Sequence, residues 1–134
     1  MASLMYTADT AVHAGITSGS SLSPGSVYRK EGCAIQLTGN NVLLRSPGYY
    51  MVYATFTVLP STSDAVTIQA LQDGVAIPGA TGKYTGSTAH TVPIAFMVKN
   101  SCCKAASIIN FEITAATAGT TITQQTGAVS TVKI

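Results

Sequence analysis

The sequence predicts an all-β protein, an antiparallel sandwich of two sheets with about eight to ten strands. Three observations carry this reading. Apolar and polar residues alternate with period two along most of the chain, turn-forming residues recur at short intervals, and no window of 11 residues shows helical spacing. At 134 residues with no linker-like stretch, the chain reads as one domain.

Taken in order, Leu4 to Val12 is a first strand, followed by a polar loop holding Gly15, Gly19, four serines between 18 and 23, and Pro24. Residues 1–25 are therefore expected to form a strand, an extended arm and a polar loop, with 26–134 as the sandwich proper. Val27–Arg29, Cys33–Leu37 and Val42–Arg45 read as short strands broken at Gly32 and at the polar run from Thr38 to Asn41. Ser46-Pro-Gly48 turns the chain into Tyr49–Leu59, the strand richest in aromatic and β-branched residues. After a loop at 60–64, Ala65–Gln72 returns to Asp73-Gly74, a pair suited to a tight hairpin turn. Pro78-Gly79 marks a further turn. Thr88–Lys99 is a long strand in which Pro93 signals an edge position or a bulge. Ala105–Ala115, a short Thr120–Gln124 and a closing Gly127–Ile134 complete the set.

Two strands are apolar on both sides. Tyr50, Val52, Ala54, Phe56 and Val58 make one face of the long strand, yet Tyr49, Met51 and Tyr53 lie opposite. Val92, Ile94, Phe96 and Val98 are likewise backed by Pro93, Ala95 and Met97. A half-buried strand needs only one apolar face, so the second is read as a contact between copies of the chain.

Composition excludes more than it assigns. Charged residues are 9% of the chain against 46% hydrophobic, the net charge is +2, and 19 Thr and 13 Ser supply the polarity. That combination is too apolar for a disordered tail. The seven cations are scattered along the sequence, and only Arg29 and Lys30 are adjacent, so nucleic acid is not an expected partner. No stretch has the length of a membrane span and the start lacks the features of a signal peptide, so neither membrane nor export is expected.

Nothing assembles a catalytic centre. The carboxylates Asp9, Glu31, Asp64, Asp73 and Glu112 show no useful pairing, and His13 and His90 read as lone polar residues without neighbouring ligand types. No catalytic residue, cofactor or metal is assigned, and the expectation is a protein that is not an enzyme. Cys33, Cys102 and Cys103 read as small buried thiols; the alternative is a reactive or metal-binding pair at 102–103 beside Lys99 and Lys104.

The run Gly48-Tyr-Tyr-Met-Val-Tyr-Ala-Thr-Phe-Thr-Val58 is followed by Val66-Thr-Ile-Gln-Ala-Leu-Gln-Asp-Gly-Val-Ala-Ile-Pro-Gly79. Together they resemble the jelly rolls of tumour-necrosis-factor and complement globular-head domains, most closely over residues 42–100. The segment Arg29 to Asn40, with Cys102-Cys103, is similar to small proteins of bacteriophages and prophages of Gram-positive bacteria. The resemblance implies a homotrimer, with the face of the long strand against the three-fold axis. Tyr49, Met51, Tyr53, Ala95 and Met97 would then form the trimer interface. It also implies a virion structural protein made in the host cytoplasm, a trimeric capsid decoration or head-fibre module whose partner is a phage major capsid protein. The alternatives are a receptor-binding fibre tip that takes a host-surface glycan, through loop residues such as Asn40 and Tyr84, and a structural trimer of the bacterial spore surface.

Overall fold

The computed structural model describes residues 3–101 and 105–134. It contains twelve strands: β1 Leu4–Ala8, β2 Ile16–Thr17, β3 Ser20–Ser21, β4 Ser26–Glu31, β5 Ile35–Thr38, β6 Asn41–Leu44, β7 Gly48–Pro60, β8 Asp64–Gln72, β9 Val75–Gly86, β10 His90–Asn100, β11 Ser107–Ala115 and β12 Thr121–Lys133. No helix occurs among the described residues. The first sheet runs β10-β7-β12-β1-β4, with β2 beside the start of β12; the second runs β5-β6-β11-β8-β9, with β3 beside β11. Every pairing is antiparallel.

The inward faces follow the period-two pattern. Tyr50, Val52, Ala54, Phe56 and Val58 of β7 are fully buried, and they meet Val66, Ile68 and Ala70 of β8 and Ile109, Phe111 and Ile113 of β11 in one core cluster. Phe111 bridges the layers, its ring centroid 4.9 Å from Phe56 and 6.0 Å from Phe96. Most buried polar side chains are paired, Thr131 Oγ1 being the exception among the described residues. Asn100, at the end of β10, donates to the carbonyls of Leu44 and Ser46 at 3.1 Å each and accepts from Ser107 Oγ at 2.8 Å. It thereby ties the first sheet to the second. The Tyr50 hydroxyl donates to the Ser46 carbonyl at 2.6 Å.

Pro93 lies on β10, the edge strand of the first sheet, where a missing N–H leaves no ladder bond unmade. Asp73, with φ of 53°, and Gly74, with φ of 81°, form the tight β8–β9 turn. The expected turn at Pro78-Gly79 is instead absorbed into β9 by a register shift opposite Gln69–Leu71. The Gln69 side-chain nitrogen sits in that irregularity, within 2.8–3.2 Å of the carbonyls of Ala70, Ile77 and Ala80. The two closing strands likewise merge into β12, with a register shift between Ile122 and Gln124.

Within the expected N-terminal segment, the first strand forms as β1, Leu4–Ala8, and the described residues up to Gly25 pack on the sandwich. β1 is hydrogen-bonded on both sides, to β12 and β4, and Met5 and Leu22 belong to the core. Polar side chains distant in sequence hold this segment down. The buried Gln125 amide accepts from Ser23 N at 3.2 Å and donates to Ser23 O at 3.0 Å. Thr7 Oγ1 donates to the Pro24 carbonyl at 2.6 Å, and Asp9 accepts from Gly127 N at 2.8 Å.

Two stability expectations follow from this packing. A Cβ built at Gly127 would lie 2.5 Å from the Ser23 carbonyl oxygen and 2.8 Å from the Phe56 ring. Gly127→Ala is therefore expected to cost about 1–3 kcal/mol, read as a lower urea midpoint with an unchanged slope. Asp64, at the start of β8, accepts from Thr117 N at 2.9 Å, Thr117 Oγ1 at 3.0 Å and Ala65 N at 2.8 Å. The Thr117 amide, foremost among these donors, holds its carboxyl below the usual value of 3.8. A carboxyl depressed by folding stabilises the native state above its unfolded pKa, and that contribution is lost as pH falls through the folded one. Urea titrations of the wild type should lose stability as acidification proceeds below pH 3.8, whereas Asp64→Asn should be less stable at neutrality and show a shallower acid limb.

Candidate functional site

The outward face of the first sheet is built by strict cross-strand register. β7 lies between β10 and β12, and β12 lies against β1. One row across the face reads Met97, Met51, Val132, Leu4, and the next reads Ala95, Tyr53, Ser130, Tyr6. Tyr49, Met51, Tyr53 and Met97 remain 42–53% exposed, Val132 43% and Tyr6 37%. These side chains form a contiguous exposed apolar band on the face.

The five residues singled out from sequence share this face. Met51 is the direct register partner of Met97, and Tyr53 that of Ala95; Tyr49 stands opposite Lys99, whose Nζ lies 5.6 Å from the Tyr49 ring centroid. Sequence reading missed Val132, Tyr6 and Leu4. Their alternation is visible, but nothing local shows that β12 and β1 would lie beside β7.

Toward the other end of the face the chemistry changes. Pro93, Thr55, Ala128 and Ala8 form the next row, then Thr91, Thr57 and Thr126. The hydroxyls of Thr57 and Thr91 are 2.9 Å apart and bonded to each other. The face is thus thioether and aromatic at one end and hydroxyl-lined at the other. Burying one large apolar side chain is worth roughly 1.5–3 kcal/mol. Several such groups on one face can offset the roughly 4–15 kcal/mol that association costs in lost freedom.

The titratable residues are arranged for structure. Among the described residues no group of three or more His, Cys, Asp and Glu is placed to hold a metal. His13 is not the lone residue expected: its Nε2 is 2.8 Å from Asp9 Oδ1, and Ser23 Oγ donates to the same oxygen at 3.3 Å. Both bonds converge on the carboxylate, so Ser23 has no contact with the imidazole that would activate it. His90 stacks on Tyr84, ring centroids 4.2 Å apart and 7° from parallel, and the Tyr84 hydroxyl bonds Thr88 at 2.9 Å. Asn40 instead borders a depression with His13, Ser21 and Gln125. The two residues named for glycan contact therefore lie in different surroundings.

Cys33 corrects the buried-thiol expectation. It precedes β5 in the Gly32 connection and is exposed, bordering a depression with Ser3, Gln36, Arg45 and Lys133. The apolar alternation of β5 begins only at Ala34 and Ile35, so Cys33 falls outside it. Cys102 and Cys103 lie outside the described residues.

No family model matches this sequence, and no curated protein matches it. Solved structures do. Murine APRIL is 13% identical, with all of both chains covered and a TM-score of 0.70. The globular domain of zebrafish complement 1qA is 9% identical over 98% of this chain and 97% of that one, TM-score 0.67. PRD1 vertex protein P5 is 13% identical over 99% and 96%, TM-score 0.66. At these identities the likeness is one of fold: the chain is a two-sheet antiparallel jelly roll of the type found in tumour-necrosis-factor and complement heads.

The exposure of Cys33 has a direct readout. A maleimide added to the native protein should modify Cys33 within minutes, located by peptide mass mapping. Protection of Cys33 until denaturant is added would contradict its place in the structure.

Proposed function

We propose that this chain is a non-enzymatic structural module that works as a homotrimer on the surface of a virion, as a capsid decoration or head-fibre component. The observation that carries the reading is the second apolar face of β7 and β10. Met51, Tyr53 and Met97, continued by Val132, form a contiguous band on a sheet whose other face already fills the core. A second and a third copy of the chain are its occupants. Three such faces meeting around an axis bury the band in each copy without creating an open-ended contact.

The virion setting is supported by two features. One of the structures of the same fold is a vertex protein, PRD1 P5, similar over nearly the full length of both chains. The segment Arg29 to Asn40 resembles small phage and prophage proteins. A phage major capsid protein is the partner this role calls for.

Light scattering tests the reading. The native protein should show about three times the 13.7 kDa chain mass at micromolar concentration. Met51→Lys with Tyr53→Lys should dissociate it into folded monomers with an unchanged far-ultraviolet β spectrum, because three copies of each charge would converge unpaired. A wild-type species of single-chain mass would overturn the proposal.

A further inference from the structure

The cations that are scattered in sequence are gathered by the fold. Lys99 is next to last in β10, Lys133 closes β12, Arg29 and Lys30 lie toward the end of β4, and Arg45 follows β6. Register puts them toward one end of the sandwich, with Arg29 farthest in, level with Tyr6, Ser130 and Tyr53. Lys99 is opposite Tyr49, Lys133 opposite Tyr50, and Lys30 opposite Met5, while Asn100 joins the end of β10 to the carbonyls around Arg45. Five of the six described Lys and Arg residues are therefore at this end, with Glu31 and Asp73 as its only acidic side chains among the described residues. The rest of the molecule holds Lys83 against Asp9, Asp64 and Glu112. A chain of near-neutral net charge is thus electrically polarised.

These cations are presented, not consumed. Arg29, Lys30, Arg45 and Lys99 are exposed, and the only ion pair among the described residues joins His13 to Asp9 at the opposite end. Arg29 lies 5.5 Å from the Tyr28 ring centroid, Lys99 packs over Tyr49, and Arg45 Nη1 donates to Gln36 at 3.1 Å. Each is held in place by a neutral group, with its charge left unpaired.

We propose that the molecule docks end-on, through this basic end, against an acidic protein surface. The breadth of the patch argues for a protein. From β10 to β4 the first sheet is five strands across, so Lys99 and Lys30 stand roughly 20 Å apart. That spread suits an interface of ordinary size and does not converge on one phosphate. At physiological salt the screening length is about 8 Å, so each cation must find its own carboxylate in contact. Ile134, which follows Lys133, is exposed between them, and Tyr28 is exposed beside Arg29. Tyr and Arg are the types that anchor protein interfaces. Duplex DNA would instead call for cations tracking two phosphate strands, with many contacts per molecule. The surface lies on a single chain, so the inference does not depend on the trimer.

The test uses the full chain and poly-L-glutamate of defined length as the acidic probe, with binding read by interferometry at about 20 mM and 200 mM salt and oligomeric mass read separately by light scattering. Poly-L-glutamate should bind at low salt and weaken as salt rises. Lys30→Glu with Arg45→Glu should weaken it by roughly tenfold or more. Lys30→Ala with Arg45→Ala should fall between, and Lys83→Glu, at the far half of the molecule, should match the wild type. The proposal is overturned if the wild type does not bind at low salt, or if Lys83→Glu weakens binding as much as the paired reversal. It is also overturned if duplex DNA of equal charge competes at lower concentration than poly-L-glutamate itself.

Discussion

β7 sits between β10 and β12, hydrogen-bonded along both edges, so its backbone is satisfied and only its two side-chain faces remain to be accommodated. The inward face does this within the chain: Tyr50 through Val58 pack on β8 and β11 and on the Phe111 ring. The outward face has no such cover. Sheet pairing forces Met51 beside Met97 and Val132, and Tyr53 beside Ala95 and Ser130, which concentrates the apolar groups of three strands into one band. A single strand could have hidden two or three such residues under a loop. Three strands in register cannot, and the band becomes a property of the sheet.

The rest of the architecture keeps that sheet rigid enough to present a surface. Asn100 and Tyr50 fasten its basic end to the β6 region through the carbonyls of Leu44 and Ser46. At the other end Gln125, Asp9 and Thr7 fasten the 22–25 segment across β12 and β1. These are buried polar groups with their partners in place, the arrangement that specifies one geometry over its neighbours. Gly25, with φ of 93° and no room for a side chain against the Ala8–Asp9 backbone, lets the chain pass closely enough to make those bonds.

What was legible in the sequence was what local patterning encodes. Alternation marked β7, β8, β10 and β11, Asp73-Gly74 marked the hairpin turn, and Pro93 marked an edge. The shared face of Tyr49, Met51, Tyr53, Ala95 and Met97 came from the same alternation. The failures have two causes: for residues 13–25 and His13 the deciding contacts lie far along the chain, and for Cys33 the cause is local. Residues 13–25 have the Ser and Gly content of a mobile loop, and Gln125, about a hundred residues on, makes them ordered. His13 looked isolated because its partner Asp9 is brought onto it only when both are pinned beside β12. Residue type alone makes Cys33 a buried thiol, and it takes no account of the position one residue before the inward-facing Ala34.

The low charge of the chain can be understood from the two surfaces together. A sheet face that meets another sheet, as proposed for the first sheet, would tolerate few charges, since an unpaired ion in a closing interface costs several kcal/mol. Lys133 and Arg45 sit where strands end, so their ionised heads can stay in water whatever covers the face, while Lys99 packs over Tyr49 at the rim of that face. Strand faces and strand ends are perpendicular surfaces of a sandwich, and one can be closed without covering the other. In the proposed trimer, the axis runs along the faces and the basic ends of all three chains stand around one end of the assembly. Apolar contact would then set how many copies come together, and charge would set which end of the assembly meets its acidic partner. The gathering of thioether and aromatic groups on one sheet face, with cations at the same end of the sandwich, is absent as a block from the primary structure and follows from which residues the ladders place side by side.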